Sequence, residues 1–210
     1  MNINIIFHSI HGHGYAMAKE IKKGIEMVEG VKGNIFRVPE TVSADIIEAM
    51  GGTEKIKTFS HIPLATIETA VDADAIILGA PTYFGTPSGQ MVAYLNQFGE
   101  EWVKGALVGK VGSSFTTSSE QNGGVETCLH NLNTFFYHQG MLIASVPTAL
   151  TYGEMHVDDK PVGGYSYGSS MITGGMNNNE ISEEERKIAR LQGKHVAQIT
   201  KALCLGTKSL

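Results

Sequence analysis

A doubly wound α/β sandwich, with a five-stranded parallel sheet between two layers of helices, is the fold this 210-residue sequence predicts. Three observations predict it. Short apolar runs of β type alternate with longer segments whose apolar residues recur at helical spacing. The run Ala75 to Leu78 is apolar throughout, as a strand buried on both faces should be. Polar, glycine-bearing loops follow three of the runs, and because parallel strands share one carboxyl edge, these loops are expected to converge there.

The first strand is Ile3 to His8. The first helix is Tyr15 to Glu29, where Met17, Ile21, Ile25 and Val28 share a face. Between them, Ser9-Ile10-His11-Gly12-His13-Gly14 sets a hydroxyl, two imidazoles and two glycines against the free N–H groups of the helix start, where an anion can bind. The loop has neither the Walker lysine nor GxGxxG spacing, so a single phosphate fits it better than a nucleoside triphosphate or a standard dinucleotide. A loop that only turns the chain is the alternative. His11 and His13 lack a third ligand at usable spacing, and no metal site is expected.

Asn34 to Val38 forms the second strand, ended by Pro39. Thr41 to Ala70 is mixed, with a short helix at Ser43 to Met50, a Gly51-Gly52 break and a further helical turn before Val71; such an excursion suits a subunit contact. The central strand, Ala75 to Leu78, ends at Gly79. Pro81, Gly85, Pro87 and Gly89 then punctuate a loop with Tyr83 and Phe84 at its tip and hydroxyls on Thr82, Thr86 and Ser88. Either a flat or charged ligand lies against this loop, or it is a plain strand-to-helix connection with incidental aromatics. Ser88 to Phe98 reads as a helix with Met91, Leu95 and Phe98 on one face, and Trp102 beyond it either pads the core or lines a pocket for a planar ligand.

Lys110 to Thr117 is the fourth strand. The loop SSEQNGG leads from it into a helix at Val125 to His138, whose terminal histidine is either a partner of the helix dipole or a ligand contact. Met141 to Val146 is the fifth strand. Thr151 to Gly175, rich in Gly, Tyr and Ser without clear periodicity, reads as an ordered surface excursion suited to an interface. Ser182-Glu183-Glu184-Glu185 is a capping box opening a last helix through Ile188, Leu191, Val196, Ile199 and Leu203.

Residues 1–210 read as one domain. The formal net charge of −5 and the scattering of the sixteen Lys and Arg argue against nucleic acid as the main partner. No apolar stretch reaches membrane-spanning length and the N-terminal residues lack a secretory pattern, so a cytoplasmic protein is expected. Cys128 and Cys204 lie far apart and outside any CxxC or Cys/His spacing, which predicts buried free thiols.

Ser9-Ile10-His11-Gly12-His13, Arg37-Val38-Pro39-Glu40-Thr41, Gly79 to Met91, Trp102, His138-Gln139-Gly140-Met141 and IARLQGKHVA from Ile188 stand in a familiar order and spacing. On these segments nearly the whole chain resembles the flavodoxin-like NAD(P)H:quinone oxidoreductases of the WrbA family. The resemblance implies a flavodoxin-like fold and an FMN enzyme, a homo-oligomer that is commonly a tetramer and otherwise a dimer. Such an enzyme takes hydride from NADH or NADPH and passes two electrons to a quinone; because the flavin carries the chemistry, a ping-pong cycle without a protein nucleophile is our own expectation for it. It further implies that Ser9, Ile10, His11, Gly12, His13 and Gly14 hold the FMN phosphate. Thr82, Tyr83 and Phe84, with Pro81 and Gly85, would border the isoalloxazine, and Thr117, Ser118, Ser119, Gln121, Asn122 and Gly123 would wrap its other edge. By the same resemblance His138 contacts the flavin region, Trp102 stands over the open face where substrate enters, and His11 matches a position associated with nicotinamide binding. The chain departs from the family at Tyr83, where relatives often carry arginine, and at His11, where they carry tyrosine; SSEQNGG is also less glycine-rich. Looser flavin binding is one expected consequence. A one-electron carrier of flavodoxin type and an FMN-binding regulatory or scaffold protein are the alternative functions.

Overall fold

Strand alternation fixes which side chains meet which helix layer. In the computed structural model, which describes residues 1–156 and 159–207, strand β1 (Asn2–Phe7) sends Ile3, Ile5 and Phe7 to one face and Ile6 to the other. Helix α1 (His13–Ile25) covers the first face with Met17, Ala18, Ile21 and Ile25. It stops at Ile25 rather than running to Glu29, since the chain turns at the exposed residues around Gly30.

Strand β2 (Lys32–Arg37) pairs in parallel with β1. Three short helices follow, α2 (Ala44–Ala49), α3 (Thr53–Lys57) and α4 (Ile67–Val71), the last opened by a reciprocal Thr66/Thr69 capping box. Strand β3 (Ala75–Tyr83) is longer than its apolar run suggests. Gly79 does not end it but lies in its middle, opposite Phe115, and a Cβ there would meet the Phe115 ring at 1.9 Å. The aromatic ring, not the end of a strand, explains the glycine. Strand β4 (Thr86–Pro87) folds back on β3, and α5 (Gly89–Leu95) then carries Met91 and Tyr94 onto the second face. After a 3-10 turn at residues 96–98, α6 (Gly99–Val103) leads into β5 (Val111–Ser118), buried along its whole length, and on to α7 (Val125–His138).

The fifth sheet position departs from the expected Met141 to Val146 strand because it is split. Strand β6 (Leu142–Ile143) pairs with Val111 and Gly112 at the start of β5. The chain then leaves the sheet through α8 (Tyr152–Met155) and returns as β7 (Ser169–Ile172) beside Phe115 to Ser118. The segment read as a surface excursion therefore contains a fully buried strand; residues 157 and 158 of that segment lie outside the described residues. Serines in β7 hid it. The Ser169 hydroxyl donates to Gln192 Oε1, Ser170 Oγ accepts from Gly164 N–H at 2.8 Å, and the Gln192 amide also donates to Ser113 Oγ and the Ser114 carbonyl.

The core sheet order is β2-β1-β3-β5-β6, with every pairing among these strands parallel and β7 joining β5. Helix α9 (Glu183–Thr207) packs beside α1. Their seam holds the buried Glu20, whose carboxylate accepts from Arg190 Nε at 2.6 Å, Lys23 Nζ at 2.7 Å and Arg186 Nη1 at 3.2 Å. The Ser182/Glu185 capping box forms, and Glu185 also accepts from the N–H groups of Gly163 and Ile172, tying the start of α9 to β7. Cys128 is buried as expected, whereas Cys204 is only half-buried, near the end of α9.

Candidate functional site

Because β1, β3 and β5 run parallel, the loops at their carboxyl ends meet at one edge, where they enclose a cleft of about 700 Å³. The first loop contributes Ser9, Ile10, His11 and His13. Ser9 Oγ accepts from Gly12 N–H at 2.9 Å and Gly14 N–H at 3.3 Å, so Gly12 and Gly14 shape the loop without lining the cleft. Helix α1 begins at this loop after a left-handed Gly12, and its first turn carries no acidic residue to oppose an anion.

The second contribution is Pro81 to Gly85 at the end of β3. Phe84 and Gly85 have φ values of 54° and 82°, and with Tyr83 paired to Thr86 they make a tight hairpin that leaves the Phe84 ring fully exposed at its tip. Thr86 Oγ1 donates to the Tyr83 carbonyl at 2.8 Å and closes the turn.

The third loop supplies Thr117, Ser118, Ser119, Glu120, Asn122 and Gly123. It is stitched to the second: Thr82 Oγ1 donates to the Gly124 carbonyl at 3.4 Å and Asn131 Nδ2 to the Gly85 carbonyl at 3.2 Å. Gly124, at φ 84°, starts α7 so close to the hairpin that a Cβ would stand 2.8 Å from Gly85 Cα. Gln121 does not line the cleft; its carbonyl accepts from the Tyr165 hydroxyl at 2.9 Å.

Trp102 and His138 do not line this cleft within the single chain. Helix α7 starts beside the cleft and runs fourteen residues to His138, about 20 Å at 1.5 Å per residue. There the Trp102 indole N–H donates to the His138 carbonyl at 2.9 Å, with the Trp102 side chain 58 % exposed. Conversely, the cleft includes Met50, Gly124, Thr127, Thr173 and Asn177, which the reading from sequence did not single out. Thr127 was legible, lying one helical turn beyond the glycine loop. Thr173 and Asn177 follow β7 and were hidden with it.

Behind the cleft, His8, the residue before Ser9, is 3 % exposed, and its Nε2–H donates to Glu40 Oε2 at 3.2 Å. Gln90 Nε2 of α5 and the N–H groups of Thr41 and Val42 donate to Glu40 Oε1. Burial alone would raise this carboxyl, but those hydrogen bonds outweigh it and bring it down to about 2. Burial, reinforced by the Glu40 charge, raises the Tyr83 phenol, which stays protonated at neutral pH. Burial lowers the pKa of His13, and the neighbouring His11 and Lys55 charges lower it further, favouring a neutral imidazole. Burial pushes the Cys128 thiol up to about 11. Among the described residues no group of three or more His, Cys, Asp or Glu is placed to hold a metal ion, and no helix is long and apolar enough to cross a membrane.

A hydroxyl-bearing loop at a helix start, an aromatic hairpin and a polar third loop around one cleft suit a ligand with a phosphate at one end and a flat ring at the other. Residues 1–154 match the family model described as NADPH-dependent FMN reductase. The chain is 44 % identical over 203 residues to a protein of Geobacter sulfurreducens named NAD(P)H dehydrogenase (quinone), covering 97 % of this chain and 99 % of that one. It is 42 % identical over 209 residues to a protein of the same name from Methanosarcina mazei, covering 97 % and 98 %. Among solved structures, a WrbA-like flavodoxin from Agrobacterium tumefaciens superposes with a TM-score of 0.65 at 24 % identity, covering 96 % of this chain and 98 % of that one, a likeness of fold.

Proposed function

The chain belongs to the NADPH-dependent FMN reductase family, among the NAD(P)H dehydrogenases (quinone), and on that premise we propose that it binds FMN in the three-loop cleft and reduces quinones to hydroquinones with NADH or NADPH. The observation that carries this reading is the meeting of the β1, β3 and β5 loops around one cleft of about 700 Å³. When bound, FMN supplies the two-electron chemistry, accepting hydride from the nicotinamide and passing the reducing equivalents to the quinone.

The protein's part is to hold and orient. The phosphate is assigned to the loop from Ser9 to Gly14, where the Ser9 hydroxyl braces two glycine N–H groups and the start of α1 offers positive dipole. The ring is assigned to the space between Pro81 to Gly85 and Thr117 to Gly123, whose loops are held at fixed separation by the Thr82 and Asn131 hydrogen bonds. Tyr83, kept as a phenol, can donate one hydrogen bond but carries no charge. Cys128, kept as a thiol beneath the site, is a poor nucleophile, in keeping with transfer through the cofactor alone.

Residues 1–210 are read as one domain, and a homo-oligomer, dimer or tetramer, belongs to the same proposal. Trp102, Val103, Val108, Tyr137 and Leu142 are exposed apolar residues around the far end of α7, a surface suited to another copy. A cytoplasmic location fits the acidic, moderately charged chain.

Purified protein titrated with FMN should gain a bound-flavin absorption spectrum. In stopped flow, NADH or NADPH should then reduce that flavin without quinone present, and quinone should reoxidise it. Failure to bind FMN would remove the reading, and flavin reduction that waits for quinone would remove the ping-pong order.

A further inference from the structure

Beside the cleft, along α1, lies a second cavity of about 620 Å³. The two share His11, His13 and Asn177 as a common wall. The chain carries a formal net charge of −5, yet this groove is lined by Lys19, Lys23, Lys55 and Arg186 against only Glu20 and Glu180. Glu20 is already taken, since its buried carboxylate is paired with Lys23, Arg186 and Arg190. Lys19 and Lys55 have no carboxylate within 4 Å among the described residues. Lys19 is steadied instead by the Tyr15 ring, its Nζ 4.8 Å from the centroid.

The wall between cleft and groove is also built. Asn177 holds φ 53°, its N–H donates to the Gly174 carbonyl at 2.9 Å, and its Oδ1 accepts from the Thr173 hydroxyl at 2.9 Å. Thr173 N–H in turn donates to the Ser118 carbonyl at 2.7 Å, so the turn that borders the groove is fastened to the third site loop. A ligand lying across this wall would have one end in the cleft and the other among uncompensated lysines.

We propose that the groove takes the phosphate-bearing adenosine half of NADPH, with Lys19 and Lys55 pairing with its 2′-phosphate and pyrophosphate while the nicotinamide reaches over the shared wall into the cleft. This rests on the functional reading above and adds a preference to it, because NADH lacks the 2′-phosphate and gains less from the two lysines. Charge-assisted pairs of this kind, lost together, weaken a phosphate ligand by about tenfold.

The test uses the FMN-loaded protein, wild type against the double variant K19Q/K55Q; both lysines are exposed, so the fold is not at stake. Calorimetric titration with adenosine 2′,5′-bisphosphate should give a Kd raised about tenfold in the variant, with KM for NADPH rising by about tenfold and KM for NADH by less than about threefold. Lys→Arg at both positions should restore most of the loss. A Kd and an NADPH KM within about twofold of wild type, or no binding of the bisphosphate to wild type, would overturn the groove assignment. Wild-type turnover of NADPH with a quinone separates the two ideas. Its absence removes the functional reading and the groove with it, whereas an unchanged titration with turnover intact removes the groove alone.

Discussion

Replacing Glu40 by glutamine tests the polar strut behind the cleft. Its carboxylate joins three segments, His8 next to the Ser9 loop, the chain after β2, and Gln90 at the start of α5. The carboxyl titrates at about 2 instead of its ordinary 4.5. At about 1.36 kcal/mol per pH unit, that fall corresponds to at most about 3.4 kcal/mol of stability. With the side chain 23 % exposed, solvent screening reduces this to about 2 kcal/mol. Because the folded value is depressed, the contribution is fully present above pH 4.5 and drains away as pH falls toward 2. Urea unfolding at pH 7 should show the Glu40→Gln midpoint lower by about 1 M, and the gap from wild type should narrow as pH is taken down from about 4.5 toward 2. A loss below about 0.5 kcal/mol at pH 7, or a gap unchanged at low pH, would refute the reasoning. FMN should also bind the variant more weakly, since His8 loses the partner that steadies the residue next to Ser9.

Gly79→Ala should destabilise the chain by about 3 kcal/mol, read as a drop in thermal midpoint, because the new Cβ would overlap the Phe115 ring; a midpoint within a degree of wild type would contradict the packing. Gly124→Ala forces an L-residue to φ 84° and pushes on Gly85, so FMN affinity, measured by fluorescence quenching, should fall by about tenfold; unchanged affinity would mean that the two loops are not jointly responsible for the ring. Cys128 should react with iodoacetamide at pH 8 at least about a hundredfold more slowly in the folded protein than in urea, as its thiol is buried and held near 11, and comparable labelling by mass spectrometry would argue against that environment.

What the sequence determined by itself was written in local chemistry. Strand alternation in β1, the helical face of Met17, Ile21 and Ile25, the Ser182/Glu185 capping box and the three polar loops each depend on residues a few positions apart, and parallel strands then oblige those loops to share an edge. Only the tertiary structure decided the rest. β7 has no apolar pattern because its serines are satisfied by Gln192 and Gly164, partners that periodicity cannot see, and with β7 came Thr173 and Asn177 at the site. Trp102 and His138 meet at the far end of α7, a helix of fourteen residues that begins at the cleft, so their distance from this chain's own cleft is set by the helix length. Local spacing specifies a segment and the direction in which it presents its ends; which distant segments come to rest against each other is set by packing and by hydrogen-bond partners spread across the whole chain.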